Sequence, residues 1–238
     1  MDPQDDYPLY RTPTAARPLL GLTVLVVEDS RFACEAMRLL CLRSGARIRR
    51  ADCLSSARRH LQIYRPSVVV IDLGLPDGSG IDLIEELARA NPRVGVLLAT
   101  SGDDRAAEIA IAAGADGFLA KPIVDLGTFQ ESVLSRLPAD RHPVGPRKIS
   151  HEVIKPDTVA YDDDMAHAAD LLGDADNGRA VDYIAHFLSG VARSADDLPL
   201  QKAADSLIGA RAKGAAITAE LARVAGLVQE RIRQRQVV

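Results

Sequence analysis

Residues 68–71 (VVVI) and 94–99 (VGVLLA) are apolar without the polar alternation of a half-solvated strand. Successive side chains of a strand point to opposite faces, so a strand apolar at nearly every position is buried on both. Such strands belong to a parallel sheet with helices on each side. The surrounding text fits: the runs LTVLVV, ARIRRA, PSVVVID, VGVLLAT and DGFLA alternate with the helical stretches SRFACEAMRLLCLRSG, SSARRHLQIY, IDLIEELARA, DDRAAEIAIAAG and LGTFQESVLSRL. Five strands interleaved with five helices predict a doubly wound, five-stranded parallel α/β domain over residues 21–138. Ligands of such sheets sit at the carboxyl ends of the strands.

The chain has 238 residues, more than one domain of this kind needs. Residues 1–20 hold Pro3, Pro8, Pro13 and Pro18 and read as a flexible arm; residues 139–160, with Pro143, Pro146 and Pro156, read as a linker. Residues 161–238 are Ala-rich helical text with breaks near 173–178, 194–199 and 214, which predicts a small all-α domain of three or four helices. In its last helix Ile217, Leu221, Val224, Val228 and Ile232 form an apolar seam suited to a bundle or a dimeric helix pair.

Net charge and composition remove several functions. With 29 Lys and Arg against 33 Asp and Glu, the formal charge of −4 offers no general attraction to nucleic acid or an anionic bilayer. Aromatics at 4% with no Trp argue against a base-stacking surface. The longest apolar run is far short of the ~20 residues that cross a membrane. The acidic, Pro-rich start lacks the pattern of a secretory signal, so a cytoplasmic protein is expected. Cys34, Cys41 and Cys53 have neither disulfide-framework nor zinc-site spacing.

Chemistry concentrates at the predicted strand ends. Glu28 and Asp29 follow the first strand and Asp72 ends the third, so three carboxylates meet at one sheet edge. Crowded acids repel unless a hard cation offsets them, and few carboxylates with water is a set that suits Mg²⁺. The plainer alternative is that these acids are solvated or cap the next helix, as Asp29 or Ser30 could. Thr100 and Ser101 end the fourth strand and Lys121 follows the fifth, adding hydroxyls and an ammonium to the same edge. A carboxylate nucleophile with a metal and a lysine beside it can form an aspartyl phosphate, and Asp72 is central among the acids.

The text VEDS, DLGLPDGSG, LLATS and GADGFLAKP over residues 21–138 resembles the receiver domain of bacterial two-component response regulators. The resemblance implies a CheY-like fold in which Asp72 accepts a phosphoryl group from a histidine kinase or phosphotransfer protein. It implies that Asp29, Asp72 and the Gly74 carbonyl ligate Mg²⁺, with Glu28 acting through water. It implies that Lys121 pairs with the acceptor, that Thr100 moves toward the phosphoryl oxygens, that Phe118 is an aromatic switch, and that Pro122 follows a cis bond. No enzymatic activity is implied beyond Mg²⁺-dependent self-phosphorylation and dephosphorylation at Asp72. The Thr100–Lys121 spacing is one residue shorter than the family usually has, which makes Ser101 the alternative hydroxyl. Output is expected through the surface of the fourth helix, fifth strand and fifth helix.

The helical part is expected to work through a downstream protein partner or a homodimer, since residues 150–238 carry 10 Lys and Arg against 14 Asp and Glu. Nucleic acid is not the expected partner, the one basic cluster being Arg231, Arg233 and Arg235 at the end. A second reading attaches to AVDYIAHFLSGVARSADDL. Val181, Ile184, Leu188 and Val191 share one helical face, which leaves His186 exposed opposite. Ala185, His186, Leu188 and Gly190 resemble a histidine-phosphotransfer helix, with Ser189 where that pattern has lysine; the alternative is an ordinary surface histidine. His167 follows the acids 162–164, which read as a cap of their own helix, and no second His or Cys at ligand spacing accompanies it.

Overall fold

A computed structural model describes residues 12–103, 105–173 and 178–235. The strands are β1 (Thr23–Val27), β2 (Arg47–Ala51), β3 (Val68–Asp72), the short antiparallel pair β4 (Gly74–Leu75) and β5 (Gly78–Ser79), β6 (Val96–Ser101) and β7 (Gly117–Ala120). All but the short pair form one parallel sheet in the order β2-β1-β3-β6-β7. The helices between them are α1 (Arg31–Ser44), α2 (Leu54–Ile63), α3 (Gly80–Arg89), α4 (Ala106–Ala112) and α5 (Leu126–Leu134).

The uninterrupted apolar strands have the cause the sequence suggested. Val24, Val26, Val68, Val70, Val96 and Leu98 point to one face, against Leu40 and Cys41 of α1 and Phe129 and Val133 of α5. Their neighbours Leu25, Val27, Val69, Ile71, Leu97 and Ala99 point to the other, against Leu54 of α2, Leu83 and Ile84 of α3 and Ala110 of α4. Edge strand β2 exposes Arg47, Arg49 and Arg50, charges that discourage pairing with another chain.

Two segments differ from expectation. Within the proposed arm, residues 1–11 lie outside the described residues, but Leu19 is fully buried and its N–H donates to the Ser44 carbonyl at 2.9 Å. That end of the arm is therefore part of the α/β core. The proposed linker is pinned as well: Val153 bridges Asp125, the Ile154 N–H donates to the Val124 carbonyl at 2.8 Å, and Ile154 is buried in the same core. One isoleucine in polar, Pro-rich text outweighs the composition around it.

Beyond this strap α6 (Thr158–Gly173), α7 (Gly178–Ser194), α8 (Leu198–Ala212) and α9 (Thr218–Arg235) follow, α6 starting three residues earlier than expected. Each packs on two neighbours, closing a four-helix bundle around Met165, Ile184, Leu188, Leu207, Val224 and Val228. The apolar seam of α9 is consumed inside this bundle, which favours the bundle reading over the helix pair. No helix among the described residues is long and apolar enough to cross a membrane.

Asp197 ties three bundle helices together. It caps α8 by accepting from the Leu200 N–H at 3.2 Å, takes the Tyr161 hydroxyl of α6 at 2.7 Å, and takes Arg231 Nε of α9 at 2.7 Å. Burial pushes its pKa up, but the bonds from Arg231 and Tyr161 outweigh that and hold it below the ordinary value. A depressed folded-state pKa contributes stability above the unfolded value, lost as pH falls through the depressed one. Asp197→Ala strands a partly buried guanidinium and should cost about 3 kcal/mol in urea denaturation; a loss within error of zero would contradict this role.

Candidate functional site

Strands β1 and β3 are neighbours, and the order of the sheet makes the gap between them the point where the winding reverses. Glu28 and Asp29 leave β1 there and Asp72 is the last residue of β3. On the other side of β3, the register of β6 sets Thr100 beside Asp72, and Lys121 follows β7. Four segments far apart in the chain thus deliver the expected residues to one edge.

Oxygen atoms of Glu28, Asp29 and Asp72 lie within 4.8 Å of one another, and no other described cluster of His, Cys, Asp and Glu could hold a metal in this way. Lys121 Nζ stands 2.6 Å from Glu28 Oε2 and 2.9 Å from Asp72 Oδ2, with side chains 7%, 3% and 10% exposed respectively. Burial alone would strip the Lys121 proton; the Asp72 and Glu28 charges outweigh it and keep the ammonium. Burial pushes Glu28 well up against the pull of Lys121, and its second oxygen accepts the Ser30 N–H at 3.2 Å. Asp29 is pushed up to about 6 by burial and then by Asp72, with the Tyr183 hydroxyl pulling the other way.

The two candidate hydroxyls differ. Thr100 is buried and its Oγ1 has no hydrogen-bond partner, while Ser101 Oγ accepts the Asp103 N–H at 3.1 Å. An unsatisfied buried hydroxyl costs about 1–3 kcal/mol, so Thr100 is the one with capacity for an oxygen not yet present. Phe118 is half-buried against the core on the α2–α4 face, and the Lys121–Pro122 peptide is cis. Gly74 lines the cavity above Asp72. Gly80, not singled out in the sequence, is the residue a side chain would exclude, because a Cβ there would overlap the Asp72 carbonyl oxygen. The run DGSG was its only signal.

The bundle sits against this edge, with α6 and α7 packed on α1. Asp164 of α6 accepts from the Arg31 N–H at 2.8 Å, the Phe32 N–H at 3.1 Å and the Ser30 hydroxyl at 2.7 Å. The expectation that acids 162–164 cap their own helix is corrected: Asp157 takes the Val159 N–H at the start of α6, and Asp164 supplements the cap of α1 in the other domain, where Ser30 Oγ takes the Ala33 N–H at 3.0 Å. An N-terminal helix end with free N–H groups attracts a carboxylate whichever segment carries it. His167 is exposed and meets the Phe187 ring edge-on at 5.7 Å. Tyr183 of α7 donates to Asp29 Oδ2 at 2.5 Å, and Arg193 donates to the Gly102 carbonyl. Neither contact was foreseen, because a helix face aimed at another domain reads in sequence like one aimed at water.

Between the domains lies a cavity of about 820 Å³ that Asp29, Asp72, Lys121, Ser101, His186 and Gly190 help to line. His186 is exposed, as its position opposite the apolar face of α7 requires. Hard oxygen donors beside an open cavity could hold a divalent cation, and a carboxylate partly neutralised by Lys121 can act as a nucleophile. Lys121→Met leaves Glu28 and Asp72 buried without their counter-charge and should destabilise the fold by about 3 kcal/mol. Urea denaturation checks this, and a midpoint equal to that of the unsubstituted protein would contradict it.

Residues 24–133 match the family described as the response regulator receiver domain. The chain is similar to the probable transcriptional regulatory protein TcrX of Mycobacterium tuberculosis, 39% identical over 102 residues, covering 42% of this chain and 44% of that protein. It is similar to the KDP operon transcriptional regulatory protein KdpE of Escherichia coli, 31% identical over 99 residues with the same two coverages. The chemotaxis protein CheY of Thermotoga maritima is 28% identical over 107 residues, 43% of this chain and 88% of that protein. The chain thus spans less than half the length of TcrX and KdpE. With the five-stranded parallel sheet and the acidic edge in place, residues 24–133 are a response regulator receiver domain.

Proposed function

We propose that the protein accepts a phosphoryl group on Asp72 from a histidine kinase and passes the signal on through its acidic helical domain by protein–protein contact. The observation that carries this reading is the Asp72 carboxylate held 2.9 Å from a buried ammonium, beside a buried Thr100 hydroxyl that has no partner. Asp72 supplies the attacking oxygen, Lys121 offsets charge on the acceptor and then on the phosphoryl oxygens, and Thr100 donates to one of those oxygens, with Ser101 the second choice.

The donor set fits Mg²⁺, which Asp29, Asp72 and the Gly74 carbonyl would hold; bound there, it would neutralise the charge gathered by the acids and the phosphoryl group. Glu28 is committed to Lys121 and the Ser30 N–H, which agrees with an indirect part in metal binding.

Phosphorylation adds about −1.5 to −2 charge beside Asp29, the residue that Tyr183 of the bundle holds. The docked arrangement of the two domains is therefore the element whose population the modification shifts. On the far side, Ile109 and Ile111 of α4 are 61% and 48% exposed, leaving apolar surface for a protein partner at the expected output face, alongside Phe118 on β7.

The names of TcrX and KdpE raise DNA as an alternative output. Against it, residues 150–238 keep their acidic balance, and Arg231 of the one basic cluster is committed to Asp197. A groove-reading surface needs cations free to meet phosphates.

Asp72→Asn should abolish labelling by acetyl phosphate with Mg²⁺; labelling at the full rate would move the acceptor elsewhere.

A further inference from the structure

The geometry points to a second phosphoryl carrier in the same cavity: His186 of the helical domain exchanges the phosphoryl group with Asp72 within one chain. This rests on the reading of Asp72 as acceptor.

The argument is one of placement. At about 100° per residue, Tyr183, His186, Gly190 and Arg193 share one face of α7, opposite the buried Val181, Ile184, Leu188 and Val191. The outer two of the four are anchored to the receiver, Tyr183 on Asp29 and Arg193 on the Gly102 carbonyl. The loop after β6 runs close to α7 at this point: a Cβ built on Gly102 would stand 3.9 Å from Gly190 Cα, whereas one built on Gly190 would meet nothing within 4 Å. His186 lies between these contacts, its side chain exposed into the cavity that Asp72 and Lys121 also line. A histidine on an arbitrary solvated face would not be bracketed by two contacts to the acceptor's own loops.

The cavity is also furnished for an anion in transit. Arg193, one turn beyond Ser189, lines it and has a buried Nε without a hydrogen-bond partner. Such an unpaired donor is costly unless an acceptor arrives, and a phosphoryl oxygen is one that makes charge-assisted bonds. The lysine that the phosphotransfer pattern carries at position 189 is absent; Arg193 from the helical domain and Lys121 from the receiver supply cations instead. Ser189 turns inward to donate to Asp205 Oδ1 at 2.6 Å. Gly209 of α8 also lines the cavity, and a Cβ there would meet nothing within 4 Å.

In the transfer, the lone pair of a His186 ring nitrogen forms an N–P bond as the P–O bond to Asp72 breaks. The electron pair of that bond returns to the carboxylate, and the proton on the other ring nitrogen passes to water in the cavity. Nothing is oxidised or reduced, and the reverse step restores the acyl phosphate.

The test uses the full chain, radiolabelled acetyl phosphate and Mg²⁺, with samples split between acid and alkali. An acyl phosphate is lost in alkali, whereas a phosphohistidine survives alkali and is lost in acid. The expected result is an alkali-stable, acid-labile fraction on the peptide containing His186. It should fall to background in His186→Gln and in Asp72→Asn, and its rate of appearance should not change on tenfold dilution. Label that is wholly alkali-labile, or alkali-stable label on another histidine, overturns the proposal. A rate that falls with dilution overturns transfer within one chain. Absence of label in either form instead overturns the reading of Asp72 as acceptor.

Discussion

The ammonium of Lys121, buried between Glu28 and Asp72, is the interaction on which the site depends. Three carboxylates at one sheet edge would repel one another by several kcal/mol at the effective dielectric of a protein interior. One buried cation does not cancel three acids. Burial first and the Asp72 charge second push Asp29 up to about 6, and it takes a hydrogen bond from Tyr183 of the helical domain. The acidic edge is therefore the feature that draws the bundle to it, and the feature a divalent cation would relieve.

Electrostatics of the same kind organise the rest of the domain boundary. Asp164 reinforces the Ser30 cap of a helix end in the receiver, an ordinary N-cap being worth about 1 kcal/mol. It takes the Ser30 hydroxyl and the N–H groups of Arg31 and Phe32, just after Glu28 and Asp29. The bundle thus touches the acceptor loops through Asp164, Tyr183 and Arg193, with Asp163 on Arg31 and Tyr161 against Phe32 beside them. On the proposed reading, phosphorylation and domain docking form one coupled equilibrium, in which anything that stabilises phosphorylated loops differently from free ones moves the bundle.

Much of this was legible in the residues. The uninterrupted apolar strands dictated a two-sided core, and strand-end chemistry placed Glu28, Asp29, Asp72, Thr100 and Lys121 on one edge, because parallel strands share a carboxyl end. The exposure of His186 followed from helical periodicity alone. What escaped were contacts set by the docking of one domain on another. Asp164 read as a local cap because a run of acids before a helix usually is one, and Tyr183 was not singled out at all. Leu19 and Ile154 were hidden by Pro-rich neighbours, although burial of a single side chain is worth about 2 kcal/mol and suffices to pin a short segment.

The central claim is that a phosphoryl group is carried on the carboxylate at position 72, in a cavity walled by both domains. The most direct measurement is borohydride reduction of the freshly phosphorylated full chain followed by peptide mapping, because hydride converts an aspartyl acyl phosphate to homoserine and leaves free aspartate untouched. The account predicts homoserine at position 72 and at no other aspartate. Homoserine at position 29 or elsewhere, with Asp72 intact, would contradict it.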